Sequence, residues 1–191
     1  MRNSPAPILV IAATERELAT PEGWRTLVCG VGPVDAAGRT AAAIAAERPA
    51  AILHVGIAGA RVASGLLPPA LLIGEAARYC DLEVPESWAP RSVVAPLALL
   101  TAARRALPHA PVITIGTSAR VGGTIGCDVE AMEGFGVLRA AQLAGVPALE
   151  VRAISNHIEE PDRRRWQFDA AFAAITVATP RLVAEFASCI G

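Results

Sequence analysis

The chain has 191 residues, 53% of them hydrophobic, and a formal net charge of −1. That length suits one domain with a substantial core, and the near-neutral balance excludes a global basic field for nucleic acid. No uninterrupted apolar run reaches the roughly 18 residues that would indicate a membrane span. The first apolar run, Ile8–Ala13, is too short for a signal-peptide core and reads as a strand. Thr26–Cys29 reads as a second strand. Pro33–Glu47 is an Ala-rich helix, with Pro33 suited to its first turn. Ala51–Val55 is a strand that runs into Gly56, Gly59 and Gly65, and Leu71–Gly74 is a fourth apolar run. After a Pro-rich loop come a helix over Pro96–Ala106 and a strand over Val112–Ile115. Glu130–Ala144 reads as a helix ended by Gly145 and Pro147. Ala148–Ile154 is the last strand, and Trp166–Ser188 is a long amphipathic helix that Pro180 could kink.

Continuous apolar strands alternating with helices predict a three-layer α/β fold over residues 1–191, its sheet covered on both faces. In such folds ligands sit beyond the carboxyl ends of strands. Glu17, the glycines after Val55 and Asn156 lie there. The polar run Glu159–Arg165 reads as a surface loop or a lid. All 17 basic residues are arginine, so lysine chemistry is absent. Four scattered cysteines without a C-x-x-C pair, and three scattered histidines, argue against a metal site and fit reduced thiols in a cytoplasmic protein.

Gly30-Val31-Gly32 follows a strand and precedes a helix, but Asp35 fills the third position of the dinucleotide fingerprint, so no nicotinamide cofactor is expected. Gly56-Ile57-Ala58-Gly59 reads as a tight turn, either for its geometry alone or to bring Ala58 and Gly59 backbone close to a ligand. Glu130 and Glu133 lie three apart at the expected helix start, where acids commonly suit the helix dipole. Glu133, however, sits between Met132 and Gly134-Phe135-Gly136. Two glycines inside a helix cost about 1 kcal/mol each, so something requires close approach there. Arg152-Ala153-Ile154-Ser155-Asn156 ends an apolar strand abruptly in polar groups. Asn156 is either a capping turn residue or an amide directed at a ligand.

Taken together these segments resemble the purine nucleoside phosphorylase/nucleosidase superfamily. Within it they resemble the bacterial methylthioadenosine/S-adenosylhomocysteine nucleosidases and the futalosine hydrolases. The likeness runs in collinear order through Ile8–Leu18, Gly30-Val31-Gly32-Pro33-Val34, Val55–Gly59, Glu75–Tyr79, Met132-Glu133-Gly134 and Arg152–Ser155. It implies a mixed central sheet flanked by helices. By resemblance Glu17 is the general base that prepares water, Arg152 helps to position that water, and Glu133 binds the ribose hydroxyls beside Met132. Ala58, Gly59 and Ser155 are substrate contacts, and no cofactor is implied. Asn156 stands where the nucleosidases carry Asp. An amide suits a 6-oxopurine, and futalosine hydrolases resemble this chain in that position and in Asp162-Arg163-Arg164-Arg165-Trp166.

The resemblance therefore implies hydrolysis of futalosine to hypoxanthine and dehypoxanthine futalosine in menaquinone biosynthesis, by a homo-oligomer with no nucleic-acid or membrane partner. A nucleosidase for methylthioadenosine or adenosylhomocysteine is the alternative within the class, and a noncatalytic nucleoside-binding protein the alternative outside it. The chain also departs from the pattern. Ile57 replaces a water-holding Ser, the early hairpin is short, and Ile115–Asp128 holds no aromatic to stack on a purine. The arginines that hold phosphate in phosphorylases have no counterpart, and Leu53-His54-Val55 occupies one of their positions.

Overall fold

The structure is a computed structural model that describes residues 7–190. Its strands are β1 (Ile8–Ala12), β2 (Arg25–Val28), β3 (Ala51–Ala60), β4 (Leu71–Tyr79), β5 (Ser92–Val94), β6 (Val112–Thr117), β7 (Val129–Ala131) and β8 (Ala148–His157). The helices are α1 (Pro33–Glu47), α2 (Leu97–Ala106), α3 (Gly134–Leu143) and α4 (Phe168–Ile190). Eight strands form one mixed sheet in the order β2-β1-β3-β7-β6-β4-β5, with β8 bridging β3 and β4. That bridge closes β3, β8, β4, β6 and β7 into a ring, while β1–β2 and β5 extend from it. One core cluster, including Ala58, Leu72, Ile115, Val129 and Ile154, draws on all five ring strands.

The inner strands β1 and β3 are largely apolar on both faces because both faces are covered. Leu9, Ile11 and Ile52 pack with Ala36 and Ile44 of α1 and with Val137 and Leu138 of α3. Val10, Leu53, Val55, Leu149 and Val151 pack with Leu99 of α2 and with Ile175, Leu182 and Phe186 of α4. Each such side chain contributes about 1.5–3 kcal/mol when fully buried. Among the described residues α4 alone is long and apolar enough to cross a membrane. Its Ala171, Ile175, Leu182 and Phe186 lie in the core, which accounts for that apolarity. Pro180 does not end the helix.

Several expected boundaries are corrected. The Gly56–Gly59 segment is not a turn, because β3 continues through it to Ala60 with a bulge between Ala58 and Gly59. β4 runs to Tyr79 and β8 to His157, so Asn156 lies within a strand end. Glu130 does not start a helix. It sits in β7, and its carboxylate accepts from the amides of Gly122 and Thr124 at 2.6 and 2.9 Å. Helix α3 begins only at Gly134, with Glu133 as its cap residue. The glycines there have the role their cost implied. A Cβ on Gly134 would overlap the Glu150 carboxylate, and one on Gly136 would overlap the Pro33 carbonyl oxygen of α1.

Candidate active site

A cavity of about 460 Å³ opens at the ends of β1, β3, β7 and β8. Glu17, Ala58, Gly59, Met132, Glu133, Ser155 and Asn156 all line it. Arg152 does not. It is fully buried one layer beneath, under Glu17 and Glu133.

Glu17 ends a 3-10 turn, Glu15–Glu17, that follows β1. Its Oε2 accepts from the Thr14 amide at 2.8 Å and the Thr14 hydroxyl at 2.9 Å, and Oε1 accepts from the Ile57 amide at 3.2 Å. Burial raises its pKa, against the pull of Arg152 and the Thr14 hydrogen bonds. A carboxylate has about four acceptor positions. Three are filled here, which leaves one on Oε1.

Parallel register sets His54 of β3 opposite Glu150 of β8, and Gly56 opposite Arg152. Alternate strand residues share a face, so all four lie on one side of the sheet. The missing side chain of Gly56 is the space that the Arg152 guanidinium fills: a Cβ there would overlap Nη1 and come within 2.9 Å of Glu17 Oε1. Arg152 Nε donates to Glu150 Oε1 at 2.7 Å, Nη2 to Glu133 Oε2 at 3.3 Å and to His54 Nε2, and Nη1 to the Ile57 carbonyl at 3.4 Å. Because Arg152 can only donate, His54 Nε2 accepts, and Nδ1 carries the proton toward the Ile11 carbonyl 3.0 Å away. Burial and then Arg152 hold the His54 pKa well below its ordinary value, so the ring is neutral. Burial works against the charge on Arg152, but Glu150, Glu133 and Glu17 hold its pKa above the ordinary value.

Glu133 Oε1 accepts from the Gly32 amide at 3.2 Å, and its Oε2 accepts from Arg152. Each oxygen therefore keeps one acceptor position. Gly30-Val31-Gly32 thus supplies an amide to a carboxylate.

Asn156 sits past the bulge, paired with Gly59, whose hypothetical Cβ would lie 3.0 Å from its Nδ2. Nδ2 donates to the His157 carbonyl at 2.9 Å, which fixes the orientation of the amide. Oδ1 then accepts from the Ser155 hydroxyl at 2.7 Å. One N–H and one acceptor position of Asn156 remain.

The aromatic wall comes from a place where sequence reasoning did not look. Trp166, just before α4, and Phe168 and Phe172 in its first turns line the cavity, although Ile115–Asp128 holds no aromatic. The rings of Phe168 and Phe172 stack with centroids 6.1 Å apart. The segment expected as a loop or lid, Glu159–Arg165, carries a 3-10 turn capped by Asp162 and contributes Arg163 to the rim. Glu150 and His54 were also missed. The signal available was a charged pair two residues apart, Glu150 and Arg152, inside an otherwise apolar strand.

A phosphorylase superfamily model matches residues 25–188. Futalosine hydrolase of Streptomyces coelicolor is 35% identical over 187 residues, spanning 85% of this chain and 79% of that protein. The fold is similar to that of futalosine hydrolase from Helicobacter pylori strain 26695, with a TM-score of 0.80 at 16% identity over 94% of this chain and 97% of that one. It is equally similar to a 5′-methylthioadenosine/S-adenosylhomocysteine nucleosidase of Colwellia psychrerythraea solved with adenine. There the TM-score is 0.81 at 17% identity, over 95% and 96% of the two chains.

Proposed function

The chain belongs to the phosphorylase superfamily, and we propose that it is an N-glycosyl hydrolase that cleaves futalosine to hypoxanthine and dehypoxanthine futalosine, in menaquinone biosynthesis. The observation that carries this reading is the set of hydrogen-bonding positions left open on the cavity wall. Glu17 keeps one acceptor position, which suits a water. Glu133 keeps one on each oxygen, which suits the two neighbouring hydroxyls of a ribose. Asn156 keeps one donor and one acceptor, which suit O6 and N1–H of a 6-oxopurine.

Cleavage of the ribosyl C–N bond develops positive charge on the sugar and negative charge on the base. In this reading Glu133 holds the hydroxyls and stabilises the cation. Glu17 takes a proton from the attacking water; its raised pKa makes it a stronger base than an exposed carboxylate. Asn156 binds the departing hypoxanthine. Met132 and Ser155 line the sugar and base sides, and Ala58 and Gly59 supply backbone where side chains would obstruct. Arg152 acts through the carboxylates it holds, since it does not face the cavity. Among the described residues the only cationic side chain lining the cavity is Arg163, on the aromatic wall. That supports water over phosphate as the nucleophile.

The test is base release from purine nucleosides with and without phosphate, with chromatography of both products. Hypoxanthine and free sugar should appear at equal rates in the two conditions. Strict phosphate dependence, with sugar 1-phosphate as product, would overturn the hydrolase reading. Faster release of adenine from methylthioadenosine would transfer the reading to the nucleosidase branch. Binding without any release would make the protein a noncatalytic binder.

A further inference from the structure

The buried cluster beneath the cavity has more acid than base. Glu17, Glu133 and Glu150 surround one guanidinium, and His54 is neutral. Three ionised carboxylates would leave two negative charges uncompensated. Two of these acids have evident uses at the cavity. Glu150 has none, because it is fully buried and does not line the cavity. Its Oε2 has no hydrogen-bond partner, and burial raises its pKa. A buried, half-satisfied carboxyl is costly, so a fold that keeps one gains something by it.

The bond lengths indicate what. Arg152 makes its short contact, 2.7 Å, to Glu150 and only a long one, 3.3 Å, to Glu133. Nη2 is shared between Glu133 and His54. Glu133's other bond, to the Gly32 amide, is also long at 3.2 Å. The guanidinium is therefore anchored away from Glu133, and Glu133 is left under-bonded. Arginine and a carboxylate left to themselves form a close two-bond pair. Such a pair would fill the acceptor positions that the cavity presents.

We propose that Glu150 is a positioning residue that anchors Arg152 from behind, with His54 as its second anchor, and so keeps Glu133 open for the sugar hydroxyls. Gly134 permits this arrangement, since any side chain there would occupy the place of the Glu150 carboxylate. The inference rests on the reading that Glu133 receives ribose. Without Glu150, Arg152 closes onto Glu133, and sugar binding weakens while base binding does not.

The test uses the Glu17→Gln protein, in which turnover should be slowed roughly 100- to 10,000-fold, and calorimetric dissociation constants for futalosine and for hypoxanthine alone. Adding Glu150→Leu should raise the futalosine constant about tenfold, the worth of one to two lost hydrogen bonds. Adding Glu150→Gln instead keeps an acceptor for Arg152 Nε and should restore part of that loss. Hypoxanthine, which does not reach Glu133, should bind within about twofold in both, well below the worth of one hydrogen bond. Equal weakening of both ligands in a folded variant would mean a merely structural role and would overturn the proposal, as would unchanged futalosine binding. Should Glu150→Leu fail to fold, Glu150→Ala, which also removes the acceptor for Arg152 Nε, carries the same comparison. Glu133→Gln is measured alongside. Unchanged futalosine binding in that variant would overturn the ribose reading itself, and the Glu150 inference with it.

Discussion

Adding a single methyl group at Gly56 should disable the enzyme without unfolding it. The Cβ of Gly56→Ala would overlap Arg152 Nη1 and lie 3.2 Å from Cζ and 2.9 Å from Glu17 Oε1. The tips of arginine and glutamate side chains can usually yield, but these two are held by Glu150, His54, Glu133 and Thr14. Reaching ordinary van der Waals separation requires Arg152 Nη1 to retreat by about 1.3–1.9 Å. Overpacking of this kind costs about 1–3 kcal/mol of stability. A catalytic group misplaced by roughly 1 Å can lose about 100-fold in rate. Steady-state hypoxanthine release and thermal melting measure the two effects separately. Gly38→Ala is the control, because a Cβ there meets nothing within 4 Å on α1. It should be active and more stable by roughly 0.5–1 kcal/mol. Turnover of Gly56→Ala within about threefold of the parent would refute the reasoning, since it would mean that such a displacement is harmless here.

Gly136→Ala should destabilise without a specific effect on turnover, because its Cβ would strike the Pro33 carbonyl of α1, which is backbone and cannot step aside; melting and activity per folded molecule measure this. For Glu17, the folded pKa lies above the unfolded value near 4.5, so the stability the group contributes is present below 4.5 and is lost as pH rises through the folded pKa. Glu17→Gln is spared that loss and should melt progressively higher than the parent as pH rises above 4.5, with turnover down by roughly 100- to 10,000-fold; a pH-independent difference in melting would contradict the assignment. Hypoxanthine nucleosides should be cleaved faster than their adenine counterparts, and Asn156→Asp should shift preference toward adenine. The new carboxyl must hold a proton to face the His157 carbonyl, 2.9 Å from Nδ2 in the parent, so the shift should be greatest at low pH. Rates on matched pairs of nucleosides test this, and equal rates unaltered by the substitution would mean that Asn156 does not read the base.

The parts of the site legible in the sequence were those where polarity breaks an apolar run. Met132-Glu133 and Arg152 through Asn156 stand out for that reason, and the paired glycines of α3 announced a close approach before either neighbour was visible. What sequence could not supply was the identity of partners across the sheet. Gly56 and Gly59 looked like turn residues because turns are the commonest local use of glycine. Their actual reason lies in β8, where Arg152 and Asn156 need the room. Glu150 drew no reading from the sequence and His54 counted only among scattered histidines, because only the register between β3 and β8 makes them one network with Arg152. Glu130 fitted a helix dipole as well as it fits β7, since local pattern does not distinguish a cap from a strand acid that pins the amides of Gly122 and Thr124. The aromatic wall was sought within Ile115–Asp128, but Trp166 and the start of α4 provide it.

The pairing of β3 with β8 also determines when this protein can become competent. Arg152 meets His54 across 98 residues of chain, and Gly32 meets Glu133 across 101. Contacts of such separation carry a high loop-closure cost and slow the folding of the chains that depend on them. No early hairpin or helix pair contains the charged network, so a partly folded chain holds Glu17 and Glu150 in water, without the burial that raises their pKa values. Burial raises the pKa values of Glu17 and Glu150 only when segments about 100 residues apart come together. Regain of hydrolysis during refolding should therefore trail the return of helical signal, and turnover should serve as a reporter of the last long-range contacts to form.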